Sequence, residues 1–168
     1  MDTNSEDTFA ALYARAVRLL AVRMRAEQEL RTRLTTGTRT SGPADPPTVE
    51  RVIERLKKER LVDDRRFAFE ASRSRFTYRH QGLRRVLLEL RRFGVPDSIA
   101  EDSATEALEE AGGAEAVLEQ ALEKKLRTTG RPKNLKGLAR LLRTFANNGH
   151  PPHLVRSRLS REFPDLMN

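Results

Sequence analysis

Hydrophobic side chains recur every three or four positions along most of this 168-residue chain. That spacing places them on one face of an α-helix, and no segment shows the strict alternation of a half-buried β-strand. The pattern therefore predicts an all-α protein. Its nine amphipathic segments are expected at residues 8–22, 27–34, 49–60, 64–77, 83–93, 96–111, 114–126, 135–146 and 152–159, with residues 1–7 frayed.

Breaker residues separate the second and third segments. Residues 35–47 contain two glycines and three prolines, so they are expected to form a flexible, exposed loop. Thr48 follows this loop and is the predicted N-cap of the third helix, because a hydroxyl there accepts a hydrogen bond from a first-turn amide. Asp63 or Asp64 is expected to cap the fourth helix in the same way, close to the positive end of the helix dipole.

The densest pattern lies in residues 61–94, which are typical of a helix, a turn and a second helix. Residues of the first helix that recur at helical spacing are Phe67, Ala71 and Ser72. The apolar stripe of the second helix consists of Leu83, Val86, Leu87 and Leu90. Gly94 and Pro96 are expected to end that helix. Its arginines fall largely off the stripe, which predicts a buried face under an arginine-rich outer surface.

Much of this stretch recurs 55 positions later. Phe67, Ala71, Gly82, Leu83, Val86, Leu90, Gly94, Pro96 and Ile99 reappear as Leu122, Leu126, Gly137, Leu138, Leu141, Phe145, Gly149, Pro151 and Leu154. A less regular first copy aligns Leu30 and Leu34 with Val86 and Leu90 at a shift of 56. The repeat predicts three tandem three-helix units at residues 1–60 (with the loop at 35–47), 61–111 and 112–168. Such small units must stack to bury their stripes, so an elongated, curved array is expected.

Charge is distributed in blocks along the chain. The net charge of +8 divides into 0 for residues 1–50, +8 for 51–92, −9 for 93–123 and +9 for 124–168. A surface of one sign attracts polyanions or acidic protein surfaces, although many charge runs only solvate a helix. The candidate partner- or DNA-binding side chains are Arg65, Arg66, Arg73, Arg75, Arg84, Arg85, Arg91, Arg92, Arg140 and Arg143.

The sequence offers little catalytic chemistry. It contains no cysteine, which excludes disulfides, thiolate zinc sites and a cysteine nucleophile. His150 and His153 form an isolated H-x-x-H pattern, and adjacent aspartates before a helix more often cap it than bind a metal. No phosphate-binding loop is present. We therefore expect neither an enzyme nor a cofactor or metal, and no membrane-spanning or signal segment; the expected location is cytoplasmic.

Residues 61–94 resemble the bacterial RecX regulators. The resemblance is carried by a leucine, two aspartates, two polar residues and Phe-Ala (61–68), a helix ending in arginine, a glycine, and Leu-Arg-Arg-Val-Leu-Leu-Glu-Leu-Arg-Arg-Phe-Gly-Val (83–95). The motif residues that match are Asp63, Asp64, Phe67, Ala68, Gly82, Glu89, Leu90 and Gly94. The joint before residue 83 departs from the family pattern, because it keeps one glycine where two are usual.

The resemblance implies a fold and a function. It implies three tandem three-helix repeats in an extended, bent molecule that lies along the groove of the RecA filament. The resemblance implies that such a protein contacts RecA subunits. It also implies single- or double-stranded DNA as a possible second partner. Such a protein inhibits the recombinase, ATPase and coprotease activities of RecA in DNA repair and the SOS response. A monomer is expected.

A second class of function stays open: a DNA-binding protein of the helix-turn-helix type, either a non-specific binder or a transcriptional regulator. Base reading needs Asn, Gln or Arg at the start of a recognition helix, whereas Gly82 and Leu83 start this one. Aromatic residues form 5% of the chain, which gives little for stacking on single-stranded bases. A filament-binding regulator is therefore the preferred prediction.

Overall fold

The structure is a computed structural model that describes residues 3–37 and 42–166. Within these ranges the chain forms nine α-helices and no strand, which confirms the all-α prediction. The helices are α1 (Thr3–Val22), α2 (Glu27–Thr36), α3 (Pro46–Lys58), α4 (Asp64–Ser74), α5 (Leu83–Arg92), α6 (Asp97–Glu110), α7 (Gly113–Thr129), α8 (Leu135–Asn147) and α9 (Pro152–Glu162). A π-helical turn (Arg75–Arg79) extends α4, and a 3-10 turn (Pro164–Leu166) follows α9.

Several helices are longer than the hydrophobic pattern predicts. Helix α1 begins at Thr3 instead of residue 8, α2 continues to Thr36, α7 to Thr129 and α9 to Glu162. The added turns are polar, so they carry no apolar periodicity that would mark them in the sequence. Helix α7 ends where Gly130 adopts a positive φ of 75°, a conformation that favours glycine.

The start of α3 corrects the predicted N-cap. Asp45, and not Thr48, is the capping residue: its carboxylate accepts a hydrogen bond from the Thr48 amide at 2.9 Å. Pro46 and Pro47 then lie in the first turn, where a missing amide hydrogen costs no helical hydrogen bond. The prolines therefore begin the helix instead of extending the loop. Residues 38–41 of the predicted flexible loop lie outside the described residues.

The two aspartates of the family-like motif cap two different helices. Asp63 caps α4, as one of the pair was predicted to do, and accepts a hydrogen bond from the Arg66 amide at 2.9 Å. Asp64 instead accepts one from the Glu27 amide, at the start of α2, at 2.7 Å. Burial raises the pKa of Asp64, while the hydrogen bond from Glu27 opposes that rise. This carboxylate therefore joins the first group of three helices (α1–α3) to the second group (α4–α6); the third group is α7–α9.

The core of the second group contains a residue that sequence reasoning missed. Phe67 is buried and meets Phe93 edge to face, with ring centroids 5.5 Å apart, and Phe76 is completely buried beside them. Phe76 lies in the π-helical turn that follows α4. The α-helical spacing predicted for residues 64–77 places Phe67, Ala71 and Ser72 on one face and does not assign Phe76 to it. A π turn changes the angular spacing of side chains, so α-helical counting fails there.

The predicted repeat is visible in the way α5 and α8 end. Gly94 and Gly149 both adopt a positive φ, of 78° and 89°. In each case the glycine amide donates to the carbonyl three residues earlier, and the next amide donates to the carbonyl five residues earlier. These two hydrogen bonds measure 2.9 and 3.2 Å after α5, and both measure 3.1 Å after α8. This is the Schellman pattern of helix termination. The residues after the glycines, Val95 and His150, are both buried.

Three hydrophobic clusters follow one another along the chain. The first contains Leu12, Ala16, Leu30, Leu34, Val49, Val52, Ile53, Leu56 and Val62. The second is built mainly from α4, α5 and α6 with Phe76, and the third from α7, α8 and α9. Val62 belongs to the first cluster and Ala26 and Val117 to the second, so neighbouring groups share core residues. The unit boundaries at 60/61 and 111/112 stay predictions.

The molecule is extended. Its accessible surface is 10711 Å², whereas a compact monomer of 19.1 kDa exposes about 8,400 Å². The excess is what a chain of small stacked units with separate cores produces. No helix in the described ranges is both long and apolar enough to cross a membrane.

Candidate partner-binding surface

Backbone contact between the start of α5 and the end of α8 joins the second and third groups of helices. The Gly82 amide donates to the Asn148 carbonyl at 2.9 Å. A Cβ atom on Gly82 would lie 2.1 Å from the carbonyl carbon of Gly149, and one on Gly149 would lie 2.4 Å from the Arg85 amide nitrogen. Only glycine fits at either position. The contact also brings the negative end of one helix dipole to the positive end of another.

Two histidines complete this junction. His150 is 1% exposed, and its Nε2–H donates to the His80 carbonyl at 3.0 Å. The Asn148 side-chain amide donates to the same carbonyl at 3.3 Å. Burial lowers the pKa of His150, although the bond to the His80 carbonyl opposes this, so the ring is neutral near pH 7. His153 is exposed in α9, and the H-x-x-H pair therefore does not converge on one site.

Glu89 on α5 organises the charged groups beneath the junction. Its two carboxylate oxygens accept from the Arg75 guanidinium, from Arg85 at 3.2 Å and from the Gln81 side chain at 3.2 Å. Burial alone would raise the pKa of Glu89, but the hydrogen bond and charge of Arg75, with the hydrogen bonds of Arg85 and Gln81, lower it overall. Arg75 also donates to the Ala71 carbonyl at 3.0 Å. Arg75, which begins the π turn, therefore holds that turn against α5.

The predicted binding arginines fall into two sets. Five of them pair with acidic side chains of the chain itself: Arg65 with Glu106, Arg73 with Glu70, Arg75 and Arg85 with Glu89, and Arg91 with Asp97 and Glu101. Most of these pairs are exposed, so each contributes little to stability. They nevertheless occupy the guanidinium groups. A partner would have to displace an acidic side chain to reach them.

The remaining five make no ion pair within the described part of the chain. They are Arg66, Arg84, Arg92, Arg140 and Arg143, and all are exposed. Arg84 and Arg92 lie on the outer surface of α5, beside Leu88, which is 43% exposed. Arg140 and Arg143 lie on α8. Arg66 lies on α4. Since α5 and α8 meet at the glycine junction, the other four unpaired arginines sit on two helices that contact each other directly.

A polar groove follows α8. It has a volume of about 230 Å³, and it is lined by Lys136, Arg140, Arg143, Thr144 and Asn147. Their spacing of four, seven, eight and eleven residues from Lys136 keeps them within an arc of about 100° around the helix. Among the described residues, none of the three cations has an acidic partner. The groove therefore offers hydrogen-bond donors and positive charge to an anionic ligand.

Two residues that line this groove, Arg140 and Arg143, are among the arginines that the charge block predicts as binding residues. Thr144 and Asn147, which also line it, are not among the predicted residues. The helical spacing of polar residues from Lys136 onward is the signal that points to them. Sequence reasoning could not separate paired from unpaired arginines on α4 and α5, because the acidic partners are as many as 41 residues away along the chain. Within the described residues no group of three or more His, Asp or Glu side chains is arranged to hold a metal.

Comparison with known proteins connects this architecture to one family. The family description "RecX, second three-helix domain" matches residues 63–103, which include α4, α5 and the first half of α6. The chain is 40% identical over 121 residues to the regulatory protein RecX of Prosthecochloris aestuarii. The matched region covers 72% of this chain and 74% of that protein. It is 36% identical over 146 residues to the regulatory protein RecX of Amycolatopsis mediterranei, with 86% and 78% covered.

A solved structure has the same fold. The crystal structure of RecX from Lactobacillus salivarius superposes with a TM-score of 0.73 over 93% of this chain and 97% of that one, at 17% identity. This likeness concerns the arrangement of helices alone, while the sequence matches extend over most of the chain. The resemblance first found in residues 61–94 is thereby confirmed. The chain belongs to the RecX family of regulatory proteins.

Proposed function

We propose that this chain is a negative regulator that binds the RecA nucleoprotein filament and inhibits its recombinase, ATPase and coprotease activities. Membership of a family of regulatory proteins named RecX carries the proposal. In this role the chain performs no catalysis and works by occupying surface that RecA subunits or the bound DNA would use. The resulting loss of filament activity would limit recombinational repair and the SOS response.

The arrangement of cations supports a long, periodic target. Arg84 and Arg92 on α5, and Lys136, Arg140 and Arg143 on α8, lie on two helices with a fixed junction between them. When one weak contact has formed, the next forms as an intramolecular step, so the overall affinity rises. This requires that the spacing of the contacts match the spacing of the groups on the target. A filament repeats its acidic and phosphate groups at regular intervals. An extended protein can therefore bind it tightly without a deep pocket.

The geometry disfavours the alternative of a transcriptional helix-turn-helix protein. In such proteins the first residues of the recognition helix reach base edges in the major groove. Here the start of α5 is occupied by its own chain: Gly82 is packed against Gly149, and its amide is bound to the Asn148 carbonyl. The Gly82 end of α5 is therefore covered, which disfavours insertion of this end of the helix into a major groove. Non-specific contact of the α8 groove with DNA phosphates is compatible with filament binding and is part of the proposal.

Strand exchange and DNA-dependent ATP hydrolysis by RecA test the proposed function. Added below the RecA concentration, the chain is expected to slow both reactions. Its binding to duplex of random sequence, measured by gel shift at two salt concentrations, should weaken steeply with salt and show no site preference. Unchanged RecA reactions at equimolar chain would overturn the proposal, and a salt-resistant preference for one duplex sequence would favour the alternative.

A further inference from the structure

A second surface, on the first group of helices, is apolar and open. It is a groove of about 350 Å³ between the C-terminal half of α1 and the turn that connects α3 to α4. We call it the α1–α4 groove. Its apolar lining consists of Val17, Leu20, Ala21, Met24 and Leu61, and its polar edge of Arg25, Arg60, Asp63 and Arg66.

Large hydrophobic side chains are concentrated at this groove. Seven of them are exposed in the described residues, and three line the groove: Val17 at 36%, Met24 at 38% and Leu61 at 48%. A fourth, Val22 at 79%, lies on α1 between two of them in sequence. Single exposed hydrophobic residues are ordinary on protein surfaces, whereas a contiguous group with a polar rim is typical of an interaction site. Met24 is unbranched and polarizable, which suits a surface that must fit a partner.

The position of Leu61 is unusual when it is compared with equivalent positions in the same chain. Helix α3 ends in the same hydrogen-bond pattern as α5 and α8. The Arg60 backbone amide donates to the Lys57 carbonyl and the Leu61 backbone amide to the Leu56 carbonyl, both at 2.9 Å. The residue that occupies the Leu61 position is Val95 after α5 and His150 after α8, and both are at most 4% exposed. A leucine is the most hydrophobic of the three and is the one left in solvent.

Arg60 is also unusual at its position. It has a φ of 56°, in the left-handed region, where the equivalent residues after α5 and α8 are Gly94 and Gly149. Side chains other than glycine pay a conformational cost in this region. Strained backbone of this kind is found more often at functional and ligand-binding sites than elsewhere. Arg60 makes no ion pair in the described part of the chain, so no salt bridge accounts for an arginine at this position.

The charge at the edge of the groove is positive and available. Neither Arg60 nor Arg66 has an acidic partner among the described residues. Arg25 pairs with Glu29 at 2.5 Å, a carboxylate that Arg23 and Arg33 also contact. Of the described residues that line this edge, Asp63 is the one carboxylate, and it accepts the Arg66 backbone amide as the cap of α4. The groove therefore combines an apolar floor with two uncommitted guanidinium groups. An occupant that complements it carries an apolar side chain next to carboxylates.

We propose that the α1–α4 groove docks an apolar side chain carried by an acidic segment of a protein partner. Nucleic acid is a poorer fit, because bases stack on aromatic rings and no aromatic residue lines the groove. The proposal goes beyond the proposed function, which depends on the cations of α5 and α8. It concerns a separate surface and stands whether or not RecA is the partner.

Methyl NMR of the full chain tests the proposal without RecA. The probe is a blocked peptide of four glutamates around one phenylalanine, and its control has serine in place of phenylalanine. The phenylalanine peptide is expected to shift the methyl signals of Val17, Met24 and Leu61 saturably, and to bind about tenfold more tightly than the serine peptide. Equal binding of the two peptides, or no saturable shift at these methyls, would overturn the proposal. Larger shifts of the same methyls with duplex DNA would do so too.

Two variants separate docking from stability. Leu61→Ser should weaken binding of the phenylalanine peptide by about tenfold, while the matched change Leu88→Ser, at another exposed leucine, should leave it unchanged. Arg60→Gly removes both a cation and the backbone strain. It should therefore raise the melting temperature and still weaken peptide binding several-fold. If Arg60 had only a structural role, the Arg60→Gly variant would bind the peptide as tightly as the parent. That result would refute the assignment of Arg60 to peptide binding.

Discussion

Gly82→Ala is expected to break the junction between the second and third groups of helices. The backbone of Gly82 has φ −79° and ψ 159°, which alanine adopts freely, so the effect comes from contact and not from local strain. The new Cβ would lie 2.1 Å from the Gly149 carbonyl carbon and 2.2 Å from the His150 amide nitrogen. These are backbone atoms that no side-chain rotation can move. The start of α5 must therefore withdraw from the end of α8.

The cost follows from the hydrogen bonds that this withdrawal removes. Three bonds join residues 80–82 to residues 148–150: the Gly82 amide to the Asn148 carbonyl, and the Asn148 and His150 side chains to the His80 carbonyl. At about 0.5–1.5 kcal/mol each, their loss destabilises the chain by roughly 1.5–4.5 kcal/mol. The smaller unfolded-state entropy of alanine returns only about 0.4–1 kcal/mol.

Urea denaturation followed by circular dichroism measures this cost, and Gly137→Ala is the matched control. Gly137 is the residue 55 positions later in the repeat, but it lies inside α8, and its nearest contact for a new Cβ is the Pro132 side chain at 3.2 Å. Alanine in a helix gains about 1 kcal/mol over glycine, so this control should be neutral or stabilising. A Gly82→Ala protein with the parental unfolding midpoint, or an equal loss in Gly137→Ala, would refute the junction argument.

Three further predictions concern the core, pH and charge. Leu90→Ala removes a completely buried side chain and should cost about 2–5 kcal/mol in the same urea assay; a loss below about 1 kcal/mol would contradict the core assignment. The buried ring of His150 has a pKa below its ordinary value of 6.5, so the unfolded chain binds its proton first and stability should fall as pH drops below about 6.5. His150→Val, which copies Val95 of the preceding repeat, should lessen that fall; an identical pH profile of melting temperature would exclude this histidine. Replacing Arg84 and Arg92 with Gln should leave the fold intact and lower the salt slope of DNA or filament binding by about 0.9 for each phosphate that is no longer neutralised. An unchanged slope would mean that these two arginines are only solvated.

The charge prediction differs from one that sequence alone would suggest. All four arginines of α5 look equivalent in the sequence, since each lies off the apolar stripe. In the structure Arg85 is bound to Glu89, and Arg91 to Asp97 at 2.7 Å. Replacing either of these would disturb an ion pair and confuse loss of binding with loss of structure. Arg84 and Arg92 therefore give the cleaner test.

The sequence by itself determined the helices, their order and the repeat. Hydrophobic periodicity is local, because residues three and four apart share a helix face whatever the rest of the chain does. The glycines that end α5 and α8 were equally readable, since a left-handed backbone favours glycine wherever it occurs. Errors at this level were local too. At α3 the cap is Asp45 and Thr48 supplies the donor amide three residues later. Either residue type can cap a helix, so the sequence pattern does not distinguish the two positions.

Only the tertiary structure decided which groups are available to a partner. Asp64 caps α2 across 37 residues, and Gly82 meets Gly149 across 67, so no pattern along the chain could reveal either contact. The same holds for Phe76, which the π turn carries into the core. Whether an arginine is free depends on where a distant acidic side chain lies after packing. The physical reason is that spacing along the chain specifies a helix face, whereas docking between helices specifies what that face touches.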